Sequence, residues 1–358
     1  MSSDGRAPRT LSDADETVSL DRAPSEGPLP EVGAKIDRFV VLEHLGSGGM
    51  GVVYLAYDPD LDRNVALKVL GTSNVLDPNA SRRLLREAQA LARLSHPNVV
   101  VVHEVGMTAD GVFIAMEHIP GDTLHRWFME GHDWREIVRV FIAAGRGLWA
   151  AHQAGVVHRD FKPANVLMGR DASRPRVVDF GLARPPAPSV ESSAGSIERS
   201  ADGSIAPLTQ AGAIMGTPRY MSPEQHRGDP GDPASDQYAF CVALFEGLHG
   251  APPFTGRTLH ALAVAKAKDA PDSPLKAGVP ARLNHIMMRG LSSAPDKRFA
   301  TMQELLRALE RVVAPRRRAN FIAVPVAAVA AAGAWFASAS PGDPSSIRIV
   351  VDLSCLPM

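Results

Sequence analysis

Stretches with no apolar rhythm alternate along this chain with stretches that have a clear one. Residues 1–35 are polar, rich in Ser, Asp and Pro, and contain no apolar run. Such a segment cannot bury enough surface to offset chain entropy, and it is predicted to be a disordered extension. From Ile36 short β-branched runs take over: Phe39-Val40-Val41-Leu42, Val52-Val53-Tyr54-Leu55-Ala56-Tyr57 and Asn64-Val65-Ala66-Leu67-Lys68-Val69-Leu70. Gly and Asp-Pro punctuation separates them, which predicts successive antiparallel strands. The period turns helical over Asn79–Ser95, where Asn79 suits an N-cap and Leu84, Ala88, Leu91 and Ala92 form an apolar stripe. Val99–Val105 and Val112–Met116 complete a small predicted sheet.

After Gly121 the helical period dominates. A long helix is predicted over Trp134–His152, with short strands around Val156-Val157 and Val177-Val178 and further helices to about Val313. The expected fold is α+β and two-lobed: a small antiparallel sheet with one helix (36–117), a connector near Met116–Gly121, and a larger, mainly helical lobe (121–313). Ligand sites favour such junctions. Pro185–Ser204, a run of Pro, Ser, Ala and Gly, reads as a mobile loop.

The last change of pattern is Phe321–Ala339, nineteen residues without a charge, preceded by a basic stretch (314–320) containing Arg316-Arg317-Arg318. At about 1.5 Å per residue it spans roughly 28 Å, near the ~30 Å hydrocarbon core of a bilayer. It reads as a transmembrane helix; an Ala-rich tail containing Pro325 is the alternative. The arginines would keep residues 36–313 in the cytoplasm of a single-pass protein of the inner or plasma membrane, with 340–358 as a short extracytoplasmic tail.

Composition alters this picture little. In 358 residues the net charge is −1, which gives no ground for a nucleic-acid partner. Cys241 and Cys355 lie far apart with no flanking histidine cluster, so neither a disulfide framework nor a zinc site is expected, and a reducing cytoplasm fits. No signal peptide is read at the N-terminus.

Polar residues set among the apolar runs are more informative. Gly46-Ser47-Gly48-Gly49-Met50-Gly51 leads into a strand and not a helix, and the charged residue seventeen positions after Gly51 is Lys68, not an acid. A dinucleotide-binding turn needs the opposite in both respects, so the glycines read as a strand–turn–strand flap over nucleotide phosphates. Lys68 interrupts an apolar strand, and Glu87 sits on the apolar stripe of the following helix, between Leu84 and Leu91. An inward-facing carboxylate needs a partner, and Lys68 is its predicted one. Further on, His158-Arg159-Asp160-Phe161-Lys162-Pro163-Ala164-Asn165 is followed by Asp179-Phe180-Gly181. Two carboxylates, a lysine and an amide at that spacing suit the transfer of a phosphoryl group from a metal-bound nucleotide to a hydroxyl.

With Gly216-Thr217-Pro218-Arg219-Tyr220-Met221-Ser222-Pro223-Glu224, these motifs resemble the bacterial members of the eukaryotic-like serine/threonine protein kinases over about residues 38–311. Gly48-Gly49-Met50-Gly51 and Ser222-Pro223-Glu224-Gln225 are typical of that group. The resemblance implies the two-lobed protein-kinase fold, ATP with Mg2+ or Mn2+, and proteins as substrates. It makes Asp160 the base, Lys162 the clamp on the transferring phosphoryl group, and Lys68, paired with Glu87, the holder of the α- and β-phosphates. Asn165 and Asp179 would be the metal ligands. Leu45, Gly46, Ser47, Gly48, Gly49, Met50, Gly51, Val53 and Ala66 would complete the nucleotide site, with Met116 at its back and backbone groups of Glu117 and Ile119 facing adenine. Lys162 points to serine and threonine hydroxyls. Thr217 would position the hydroxyl and Lys162, Glu224 would pair with Arg298, and Asp236 would brace the catalytic loop through its backbone.

Arg159 implies activation by phosphorylation within the activation segment, 179–224, with Thr209 as the expected autophosphorylation site and a homodimer as the setting. A pseudokinase should lack at least one of Lys68, Asp160, Asn165 and Asp179. A small-molecule phosphotransferase should lack Lys162 in this setting and the Gly216–Glu224 segment. The chain has all of them. About nineteen residues follow Ala339, too few for a folded sensor, so a stimulus is expected to enter through the cytoplasm, the membrane or self-association.

Overall fold

Strand alternation decides where the polar residues of the first lobe point. The computed structural model describes residues 30–48, 51–71, 86–108, 111–170, 174–181, 218–268 and 270–314. Among them is a sheet of β1 (Lys35–Ile36), β2 (Phe39–Gly48), β3 (Gly51–Asp58), β4 (Arg63–Gly71), β5 (Val102–Thr108) and β6 (Gly111–Glu117). Its order is β1-β2-β3-β4-β6-β5, antiparallel throughout. On β4, Val65 and Leu67 join Phe39, Tyr54, Phe113 and Ala115 in a small core on one face. Ala66 and Leu70 join Val112, Ile114 and Met116 in the main core on the other. Successive side chains alternate faces, so Lys68 shares the second face with Ala66 and Leu70. Its register sets it opposite Val53 on β3 and Ile114 on β6, with Ala66 opposite Met116. The hairpin from β2 to β3 needs glycine at 51, where φ is +140° and a Cβ would lie 2.1 Å from the Val69 carbonyl oxygen.

Several sequence boundaries move. Residues 33–35, predicted as part of the extension, belong to the ordered lobe, since Gly33 donates to the Val41 carbonyl at 2.8 Å and Lys35 pairs with Val40. β5 starts at Val102 instead of Val99, because Asn98 and Val100, on either side of Val99, bond to Val177 of the second lobe. Of the helix predicted over Asn79–Ser95, residues 86–92 are described and helical (α1), with Ala88 and Leu91 buried. Asn79 and Leu84 lie outside the described residues.

The second lobe comprises α2 (Leu124–Phe128), α3 (Trp134–Gln153), α4 (Pro223–His226), α5 (Pro233–His249), α6 (Leu259–Lys266), α7 (Ala281–Gly290) and α8 (Met302–Val313). Its small strands β7 (Val166–Leu167) and β8 (Arg176–Val177) pair with each other. α3 starts where Asp133 caps the Arg135 and Glu136 N–H groups, and it buries Val138, Phe141, Ala144 and Leu148 against α5 and α8. α5 is buried along most of its length and forms the centre of the lobe; burial pushes the thiol of its Cys241 up to about 12. The predicted strand at Val156-Val157 does not form. Val156 N–H instead closes onto Ala151 at the end of α3, and the strand that pairs with Val177 is Val166-Leu167. Among the described residues no helix is long and apolar enough to cross a membrane. The predicted span Phe321–Ala339 and the insert 185–204 lie outside them.

Candidate active site

Asp236, in the first turn of α5 and fully buried, organises the loop that carries the chemistry. Its carboxylate accepts from the backbone N–H groups of His158 (2.8 Å) and Arg159 (2.7 Å), and lies 2.8 Å from His152 Nε2. Gln225 adds a bond from its side-chain amide to the Arg159 carbonyl, at 3.0 Å. These contacts hold Arg159 at φ +64°, a left-handed conformation that costs a non-glycine residue about 1–2 kcal/mol. Asp179 is held similarly, at φ +57°. Such backbone persists only where the surroundings over-determine it. For Asp179 they do, since Val178 N–H bonds to Asn165 O (3.0 Å) and Gly181 N–H to His158 O (3.0 Å). Asp160 N–H faces His158 Nδ1 at 3.3 Å, which leaves the ring proton on Nε2 to donate to Val178 O at 2.9 Å. The approach is close enough that a Cβ at Gly181 would meet the His158 carbonyl oxygen at 2.8 Å.

On this frame five of the predicted side chains are linked. Lys162 Nζ donates to Asp160 Oδ2 at 2.9 Å, and Asn165 Nδ2 donates to the Asp160 carbonyl at 2.9 Å. Lys68 reaches across from β4 to donate to Asp179 Oδ1, also at 2.9 Å. Both partners remain partly open, with side-chain exposures of 11% and 36%.

The predicted pair of Lys68 with Glu87 is not what the structure has. Glu87 Oε1 accepts instead from Arg159 Nη1 at 3.2 Å. The carboxylate does find a cation, as its inward position demands, but the partners are divided so that Lys68 takes Asp179 and Arg159 takes Glu87. The sequence pattern carries no information on that division.

Of the nucleotide-site residues, Val53, Ala66 and Met116 all contribute to the main core on the Lys68 face of the sheet. Leu45 is exposed, and Gly48 pairs with Gly51 to close the hairpin above them; Gly49 and Met50 lie outside the described residues. Glu117 ends β6 with its N–H on the Val101 carbonyl (2.9 Å), and Ile119 packs against the main core. Thr209 and Thr217 are outside the described residues. Asn165 and Asp179, tied to one another through Val178, offer the oxygen donors that a hard cation such as Mg2+ takes. Among the described residues no cluster of three His, Cys, Asp or Glu forms a metal site of its own, so an ion here would draw further ligands from nucleotide phosphates.

Beside the catalytic loop runs a strap, Pro218–Gln225. Glu224 forms a two-pronged pair with Arg298 (2.7 and 2.8 Å), and Arg298 also donates to the carbonyls of Ser292 and Ala234. Burial alone would raise the Glu224 carboxyl; the Arg298 bonds and charge outweigh it and bring it down to about 2. Ser222 and Gln225 close a capping box on α4, and the same Gln225 bonds Arg159. Sequence reasoning named Glu224, Arg298 and Asp236. It quoted Gln225 within the Ser222–Gln225 motif without giving it a role, and it missed His152 and Lys266, because each acts on backbone or on another side chain and neither belongs to a spacing pattern.

With this geometry in hand, comparison with known proteins is direct. The protein kinase domain family matches residues 39–308. The serine/threonine-protein kinase PknB of Mycobacterium tuberculosis (strain ATCC 25618 / H37Rv) is 36% identical over 284 residues, 77% of this chain and 43% of the relative. Serine/threonine-protein kinase pkn3 of Myxococcus xanthus is 36% identical over 298 residues, 78% of this chain and 52% of the relative. This chain thus spans about half the length of the curated relatives it matches. The crystal structure of the M. tuberculosis PknI kinase domain superposes with a TM-score of 0.58 at 28% identity, covering 79% of this chain and 99% of that one. A sheet lobe over a helical lobe, a catalytic loop braced from α5 and a family match from Phe39 to Ala308 agree: the chain belongs to the protein kinase domain family.

Proposed function

We propose that this protein is a serine/threonine protein kinase that transfers the γ-phosphoryl group of ATP to serine and threonine hydroxyls of other proteins and of itself, in bacterial signal transduction. The observation that carries the reading is the bonding of Lys162 and Asn165 to Asp160 and of Lys68 to Asp179, each at 2.9 Å, on a strained, braced backbone that joins the two sets through Val178. Asp160 orients the substrate hydroxyl and accepts its proton. Lys162, already at hydrogen-bond distance from Asp160, sits where it can neutralise the transferring group. Asn165 and Asp179 are the residues that would hold a divalent cation, which supplies charge neutralisation on the phosphates when bound. Lys68 and the β2–β3 hairpin would hold the nucleotide over the Val53, Ala66 and Met116 face.

Arg159 is the residue that would read phosphorylation of the activation segment, with Thr209 as the acceptor and a second copy of the chain as the partner. The kinase domain is taken to run from 36 to 313, with 321–339 anchoring it in the membrane; the uncharged length of that stretch supports the anchor. Incubation with labelled ATP, Mg2+ and a generic protein substrate tests the activity. Label should enter substrate and kinase with the wild type and be lost with Asp160→Asn; equal labelling by both proteins would refute the assignment. Phosphopeptide mapping checks Thr209, and recovery of the full chain in the soluble fraction alone would refute the anchor.

A further inference from the structure

Lys266, the last residue of α6, is fully buried, yet no carboxylate lies within ion-pair distance of it among the described residues. Its ammonium donates to three backbone carbonyls of the strap: Pro218 at 2.8 Å, Arg219 at 3.0 Å and Met221 at 2.6 Å. His226 Nε2, on α4, lies 3.1 Å away, and the Tyr238 ring of α5 is 5.8 Å from the nitrogen. Burial of a lone ammonium is costly, and it drives this lysine down to about 7. Burial and the nearby Lys266 charge lower His226 to about 4 as well, which leaves its ring able to accept. An apolar side chain of similar length would fill this space without the cost. What the ammonium provides is three N–H groups at one point, with the strap backbone curled round them.

We propose that Lys266 is a positioning residue that fixes the strap Pro218–Met221, and so governs how tightly a peptide hydroxyl is presented to Asp160. The inference rests on the kinase reading above. A continuous path links the two points. Lys266 holds the carbonyls of 218, 219 and 221; Ser222 follows and bonds Gln225; Gln225 bonds the Arg159 carbonyl, next to Asp160. The side chains of the same strap are fixed separately, Tyr220 and Arg219 on Glu246 of α5. Lys266 thus controls the backbone alone. Among the described residues Lys266 makes no direct bond to Lys68, Asp179 or the nucleotide face, so its larger effect belongs to peptide binding.

Steady-state kinetics on Lys266→Met, Lys266→Gln and Lys266→Arg tests this, with a serine peptide and ATP varied in turn. Lys266→Met removes every donor, and the peptide KM should rise by about tenfold to a hundredfold. The KM for ATP should stay within about twofold, since those contacts are remote. Lys266→Gln and Lys266→Arg keep N–H donors at the site and should recover part of the loss. If Lys266→Met does not fold, the peptide KM of Lys266→Gln decides, and failure of all three to fold would overturn the positioning role in favour of a purely structural one. Unchanged peptide KM in folded variants, or equal changes for peptide and ATP, would overturn it too while leaving the kinase reading intact. A wild type that transfers no label would instead overturn the kinase reading, and this inference with it.

Discussion

The sealed ion pair of the helical lobe and the two ion pairs of the cleft behave as opposites. Arg298 and Glu224 are sealed in the helical lobe, with side-chain exposures of 0% and 8%, and every spare donor of the guanidinium goes to a carbonyl. In the cleft, Lys68–Asp179 and Arg159–Glu87 rest on one bond each and stay partly open to water. A sealed pair with all its bonds made cannot exchange partners without exposing an uncompensated charge. A half-open pair can, because water takes up the slack during the change. The fold thus places fixed pairing under the strap and exchangeable pairing where nucleotide and metal would have to compete for the same groups.

The largest effect expected is on the chemistry. Asp160→Asn should cut phosphoryl transfer by about 10²–10⁴ while leaving the thermal melt close to wild type, since the amide is isosteric and the backbone contacts of the loop remain. Next comes the sealed pair, where Arg298→Met should cost about 3–5 kcal/mol of unfolding free energy, because Glu224 is left buried without its cation. Denaturant unfolding checks this. A loss under about 1 kcal/mol would mean that the pair is not fixed and would break the contrast.

Acid probes the same pair without mutation. Glu224 is depressed from 4.5 to about 2, so its contribution is present above its unfolded value and is lost as pH falls from about 4.5 through 2. The loss should be on the order of 3 kcal/mol and should vanish from the pH profile of Arg298→Met.

How much of this was legible beforehand depended on whether a feature is periodic. The faces of β4 follow from alternation, so the inward aim of Lys68 beside Ala66 and Leu70 was readable. So was the inward aim of Glu87, from its place on a helical stripe. Which cation meets which carboxylate was not, because it depends on the three-dimensional position of α1 and of a loop held at φ +64°. β7 and β8 have two residues each and carry no period, and the seam at Val99-Val100 looks like any strand start. Lys266 ends a largely apolar helix, where a lysine is ordinarily solvated. Only the fold shows that the strap wraps it.

Glu87→Gln sharpens the exchange argument. Its pair with Arg159 is partly exposed, so stability should change by less than about 1 kcal/mol. Transfer should nonetheless fall by about tenfold or more if Glu87 leaves Arg159 to align Lys68 during turnover. An unaltered rate would show that the Arg159 contact is the lasting one, and the cleft would then be as fixed as the strap.

The smallest effect expected isolates burial from bond length. Arg146 on α3 and Glu310 on α8 meet at 2.8 Å, as short as the bonds of Arg298 to Glu224, but their side chains are 57% and 41% exposed. Coulomb attraction in water is weak, and holding two long side chains costs rotamer entropy, so Arg146→Ala should lose only about 0–1 kcal/mol. A double-mutant cycle with Glu310→Ala measures the coupling directly and removes the loss of the arginine stem from the comparison. A coupling near that of the sealed pair would mean that geometry alone sets the strength of these bonds. The division between fixed and exchangeable pairs would then have to rest on contacts around them instead of on their access to water.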